Sequence, residues 1–121
     1  MEHVNAASVC HAFDSLATSS AEAITPIFRQ AVIGYSADDF QAAFQVPLPN
    51  YLKIDVDSIE VEILSGARKI LRRPELKGVL VEAEGSEERV NEIRSLVLAG
   101  GFEEVSAPGA ANMIFARKTP P

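Results

Sequence analysis

From position 51 the chain alternates between the two periods a folded backbone can use, and this alternation limits its possible folds more than any other feature. Tyr51 to Val56 (YLKIDV) reads as a strand, and Asp57 stands at a helix N-cap position ahead of Ile59, Ile63, Ala67 and Ile70 at helical spacing. Arg68, Lys69, Arg72 and Arg73 crowd the last turns of that helix, where cations complement its dipole, and Pro74 closes it. Gly78 to Glu82 (GVLVE) is a second, more apolar strand. Ser86 opens another helix, with Glu87 and Glu88 in the first turn, Val90, Ile93 and Val97 on the buried face, and Gly100-Gly101 as its stop. Val105 and the run Met113 to Ala116 read as two short strands around the Pro108-Gly109 turn. This order predicts an α/β fold, with parallel strands and a C-terminal antiparallel hairpin at the sheet edge.

The chain is less regular ahead of Tyr51. Residues 1–27 are rich in Ala, Ser and Thr and show no clean period, which predicts an irregular N-terminal segment. Arg29 to Gly34 (RQAVIG) is a short extended candidate. Ser36-Ala37-Asp38-Asp39 is an S-x-x-D helix start, with Phe40, Ala43 and Phe44 on one face. That helix should end before Pro47, where Pro47-Leu48-Pro49 and Asn50 form a rigid connector.

A chain of 121 residues with 47% apolar side chains makes one domain, residues 1–121, burying roughly two-thirds of its unfolded surface without disulfides or a structural metal. Eleven basic against 17 acidic residues give a net charge of -6, which argues against a sequence-independent grip on nucleic acid phosphates or an anionic membrane, both of which need a basic face. No apolar run approaches the roughly 20 residues that span a bilayer. Cys10 alone cannot form an internal bridge, and the first basic residue is Arg29, so the chain carries neither a secretory nor a transit signature. A cytoplasmic location is the resulting expectation.

The residues that could carry chemistry are acids. A strand buried on both faces should be nearly all apolar, yet the first carries Lys53 and Asp55 on one face, with Asp57 just beyond its end. Ligands of open α/β sheets bind outside the carboxyl ends of the strands, where Asp55, Asp57 and Glu60 fall. The second strand ends in Glu82, followed by Glu84, so adjacent strands would bring these carboxylates to one rim facing a shared cavity. Plainer roles compete. Asp57 and Glu60 have the D-x-x-E spacing of a cap with a first-turn acid, Lys53 and Asp55 could simply pair, and Glu84 suits a solvated loop. Asp55 and Glu82 have the weakest structural excuse.

Other chemistries are excluded by counting. The glycines at 34, 66, 78, 85, 100, 101 and 109 form neither G-x-G-x-x-G nor a P-loop. His3 and His11 lie in the irregular segment, which disfavours a Ser/His or Cys/His pair, and zinc lacks ligands. Asp55-Val56-Asp57 has the D-x-D form of haloacid dehalogenase phosphatases, but the lysine and second acidic pair of that family have no counterpart after Ser86.

The stretch YLKIDVDSIEVEILSGARKIL resembles the FkbM family of S-adenosylmethionine-dependent methyltransferases, whose hallmark is a K-I-D-V-D/E-G-x-E block. Lys53, Ile54, Asp55, Val56, Asp57 and Glu60 match the block, Leu64, Gly66 and Ala67 match a following L-x-G-A, and Val81-Glu82 matches a later strand ending in Glu. FRQAVIGYSADDF and the Pro47-to-Pro49 connector also resemble what precedes the block, so the likeness covers most of residues 28–118. Ser58 replaces the family's glycine, and a positive φ there would strain it. The family's Gly-rich cofactor loop and first three strands have no counterpart.

The resemblance implies the C-terminal part of a methyltransferase domain, a partial Rossmann-like sheet holding the family's fourth to seventh strands. It implies S-adenosylmethionine as cofactor, with its binding residues unknown here, and a small-molecule or sugar hydroxyl as methyl acceptor. On this reading Asp55 and Glu82 are the catalytic candidates, while Lys53, Asp57 and Glu60 contact substrate. Lys53 would hold Asp55 ionised. A variant places Mg2+ between Asp55 and Glu82. Without the cofactor loop the chain by itself is expected to be inactive. The first strand would also keep an open edge and self-associate unless residues 28–34 cover it. The alternative is a non-catalytic α/β module that binds through its acidic rim and open edge.

Overall fold

The computed structural model describes residues 28, 30–83 and 85–119. Residues 1–27, the segment expected to be irregular, with His3, Cys10 and His11, lie outside the described residues, as do Arg29 and Glu84. In chain order the elements are α1 (Ala37–Phe44), β1 (Tyr51–Ile54), α2 (Glu60–Ser65), α3 (Arg68–Leu71), β2 (Gly78–Glu82), α4 (Glu87–Leu98), β3 (Phe102–Glu104) and β4 (Asn112–Arg117).

The four strands form one mixed sheet in the order β1-β2-β4-β3. β1 and β2 run parallel, with Tyr51 opposite Gly78 and Ile54 opposite Val81. β4 lies antiparallel to both β2 and β3, with Glu82 opposite Asn112 and Phe102 opposite Arg117. The expected hairpin is present around Pro108-Gly109, where Gly109 takes φ 77°. Its place differs from expectation: β4 inserts beside β2, so the antiparallel strand is interior and β3 forms the edge. Among the described residues only β1 and β2 pair in parallel.

One face of this sheet is apolar and covered. Ile54, Val79, Val81, Met113, Phe115 and Phe102 are buried there with Leu64, Ala67, Ile70 and Leu71 from α2 and α3, and Ile93 and Val97 from α4. Strand side chains alternate between faces, so Tyr51, Lys53, Leu80, Glu82, Asn112 and Ile114 occupy the other face. No described helix lies on it, and Tyr51 and Ile114 are exposed. Arg117 closes the covered layer. Its guanidinium stacks on Phe102 at 4.3 Å and donates to the carbonyls of Leu71, Leu76 and Gly100 at 2.9, 2.5 and 3.1 Å.

Ser36 and Ser86 cap α1 and α4, each side-chain oxygen accepting from the amide three residues on, as the sequence predicts. The single helix expected after Asp57 is instead two. α2 begins at Glu60 with Ile59 at the N-cap and no side-chain cap, so Asp57 is not the cap; it lies exposed in the preceding bend. Gly66 and Ala67 separate α2 from α3. A Cβ on Gly66 would come within 2.9 Å of the Ser36 Cβ, because α1 is seated on this turn. The Asp38 amide bonds the Gly66 carbonyl at 3.0 Å, and its carboxylate accepts from the Lys69 and Ile70 amides at 2.9 and 3.0 Å, capping α3 from 31 residues away. Residues 30–34 are exposed and form no strand, so they do not cover β1.

Candidate functional site

The site grows from the ends of the two parallel strands. β1 stops at buried Ile54, and the chain reverses into α2 through Asp55–Ile59, where Ser58 takes a left-handed φ of 70°. Serine has a Cβ to accommodate there, whereas glycine would not. The turn holds because Glu60, the first residue of α2, reaches back: its carboxylate accepts the Ser58 amide at 3.1 Å. Arg89, from α4, donates to Glu60 Oε2 through Nε at 3.4 Å and Nη2 at 3.3 Å, to Glu62 at 3.3 Å, and to the Ser58 carbonyl. Glu60 is 1% exposed, so this clasp ties the strand–helix turn to α4 through a buried charge that is paired and hydrogen-bonded.

Lys53, Asp55 and Glu82 meet on the opposite, open face. Lys53 Nζ lies 2.7 Å from Asp55 Oδ2, with the two side chains 64% and 50% exposed. Asp55 also hydrogen-bonds Glu82. The Lys53 hydrogen bond, then the Glu82 hydrogen bond and the Lys53 charge, hold the Asp55 carboxyl below the usual range. In return Asp55, first by that hydrogen bond and then by its charge, pushes the Lys53 ammonium up. Register adds a third residue, since Asn112 sits opposite Glu82. Asp55, Glu82 and Asn112 therefore form a polar row across three strands at the carboxyl ends of β1 and β2.

Of the five residues singled out in the sequence, the structure brings Lys53, Asp55 and Glu82 together. Asp57 lies exposed in the following bend, and Glu60 is turned to the covered side. Glu60 is thus not on the acidic rim: its carboxylate is occupied by Arg89 and the Ser58 amide. The rim itself is an open face and not the shared cavity expected. Sequence reading missed Arg89 and Asn112. Arg89 follows the Glu87-Glu88 pair within the first turn of α4, where a cation opposes the helix dipole, and that mismatch was the available signal.

The donor set does not suit a divalent ion. Asp55 and Glu82 bond each other, an ammonium occupies the free side of Asp55, and among the described residues no group of three or more His, Cys, Asp or Glu side chains is placed to hold a metal. Nor do the described residues form a cradle for an adenosyl cofactor. β1 is followed by Asp55-Val56-Asp57-Ser58 instead of a glycine-rich turn, and α4 presents Glu87 and Glu88 at its N-terminus. A cavity of about 280 Å3, lined by Arg68, Leu71, Arg72, Glu92, Leu96 and Gly100 among others, lies between α3 and the C-terminal end of α4, at the amino end of β2. It is remote from the rim.

No match is found among curated proteins or among solved structures. A family model does match, that of the methyltransferase FkbM domain, over residues 6–104, which include the whole strand–helix–strand unit carrying the rim. By that match the chain belongs to the FkbM methyltransferase family.

Proposed function

We propose that this methyltransferase acts on a hydroxyl group of a small molecule or sugar, with S-adenosylmethionine as methyl donor, and that the row Asp55, Glu82 and Asn112 holds the acceptor. The observation that carries this reading is an ionised, half-exposed carboxylate, kept ionised by its own lysine, at the carboxyl end of a parallel strand pair. An ionised carboxylate accepts a hydrogen bond from a hydroxyl and fixes the oxygen's direction. A depressed pKa also makes Asp55 a weak proton acceptor, so orientation rather than strong general-base action is its proposed role. Glu82 and Asn112 offer further polar contacts along the row, and Lys53 keeps Asp55 charged. Asp57 stands at the margin of the row.

S-adenosylmethionine supplies the transferable methyl group, but no described residues are arranged to grip it. Residues 1–121 by themselves are therefore proposed to bind it weakly and to transfer little. Calorimetry on this chain should show no micromolar affinity, and such an affinity would overturn that part. The acceptor row is tested separately, by titrating sugars and small hydroxylated aromatics while following backbone amides by NMR. Shifts centred on Asp55, Glu82 and Asn112 that are lost in Asp55→Asn are expected. Shifts centred on the cavity between α3 and α4 would refute the row.

A second reading, a non-catalytic module binding through the rim and the β1 edge, is favoured by the uncovered sheet face. Acceptor binding that persists with no label transfer from S-adenosylmethionine at saturating concentration would select it.

A further inference from the structure

Among the described residues β1 pairs only with β2 and forms one edge of the sheet. The Asn50 carbonyl accepts from the Lys77 and Gly78 amides at 2.7 and 3.4 Å. The alternation of a parallel pair then turns the backbone groups of Leu52 and Ile54 toward β2, and those of Tyr51 and Lys53 outward. Such a row is a template for another strand. Side chains alternate too. Leu52 and Ile54 lie on the covered side, and Tyr51, Lys53 and Asp55 on the open one.

We propose that this edge pairs with the same edge of a second copy of the chain, antiparallel, about a two-fold axis through Ile54. Ile54 then faces its counterpart, Lys53 faces Asp55 of the second copy, Leu52 faces Val56 and Tyr51 faces Asp57. Charge complementarity picks both the occupant and the register. An axis at Lys53 would set two lysines face to face, and an axis at Asp55 two carboxylates, both unfavourable for directly opposed residues. An axis at Leu52 would run Asp55 against Pro49, which has no amide hydrogen to give. An axis between residues would oppose outward-facing groups to inward-facing ones and break the ladder. A lysine on an edge strand ordinarily repels another copy, but the Lys-x-Asp spacing converts that guard into a self-complementary pair. Pairing also covers Val56 and Tyr51, which are exposed at 37% and 76%. It extends β1 through Val56 and joins two sheets into one. The pairing shares Lys53 and Asp55 with the proposed acceptor row, but it needs no methyl transfer and is read from self-association, so failure of one does not entail failure of the other.

Analytical ultracentrifugation of residues 1–121 should show a monomer–dimer equilibrium. Lys53→Glu and Asp55→Lys should each weaken self-association by about tenfold or more, since each sets like charges opposite one another twice. Mixing the two variants should restore a dimer, because each then meets its opposite charge across the axis. Hydrogen exchange should show the Tyr51 and Lys53 amides protected as concentration rises, a readout that does not depend on either variant folding well. A monomer at every concentration overturns the proposal. So does a dimer whose strength ignores both substitutions, or one in which these two amides exchange freely.

Discussion

Two acids five positions apart, Asp55 and Glu60, frame the same turn and meet opposite environments. Glu60 is buried, bound by Arg89 and the Ser58 amide, and holds the turn against α4. Asp55 is half-exposed on the far side of the sheet, bound by Lys53 and Glu82. Both match the same motif in the sequence, yet only the second is open to a ligand. A motif fixes which residue types stand near a strand end, and the face of the sheet decides which of them is structure and which is surface chemistry.

The sharpest way to break this comparison is along β4, where Phe115 faces the core and its neighbour Ile114 faces the open side. Phe115→Ala is expected to cost about 3–5 kcal/mol and Ile114→Ala under about 1 kcal/mol in urea denaturation. Equal costs would mean that both faces are covered. Next in size is the clasp. Arg89→Leu leaves the Glu60 carboxylate buried without its counter-ion and is expected to cost about 3 kcal/mol. Lys53→Met breaks only an exposed pair and should leave the urea midpoint nearly unchanged. An effect of opposite sign is expected at the turn, where Ser58→Gly removes the left-handed strain and should stabilise by about 1 kcal/mol.

Much of this architecture is legible in the sequence where the signals are local. The Ser36 and Ser86 caps, both parallel strands and α4 follow from spacing within a dozen residues. The strain at Ser58 was visible as a serine in a glycine position, and its φ of 70° bears this out. What failed to show was long-range. The break at Gly66 depends on α1 packing against it and on Asp38 capping α3 from far upstream. Arg29–Gly34 has the composition of a strand, but no described strand pairs with it, and composition without a partner leaves residues 30–34 as exposed coil. Val105 follows β3 rather than lying within it, an error of boundary. The candidate site divides the same way: Asp55 and Glu82 could be read from their positions at strand ends, whereas Asn112 depends on β4 inserting beside β2, and Arg89 on the approach of α4 to α2.

The smallest effect bears most directly on the rim. A carboxyl whose folded pKa is depressed contributes stability above its unfolded value, and that contribution is lost as pH falls through the folded pKa. For Asp55 this places the loss on the acid side of 3.8, and its exposure keeps it slight. The decisive measurement is therefore not stability but a carbon NMR pH titration of the Asp55 and Glu82 side-chain carboxyls in one sample. The expected result is a shared two-step curve, with Asp55 ionising first, below the ordinary aspartate range, and moving up toward it in Lys53→Met. Two independent single-step curves at ordinary values, unchanged by Lys53→Met, would contradict a shared rim.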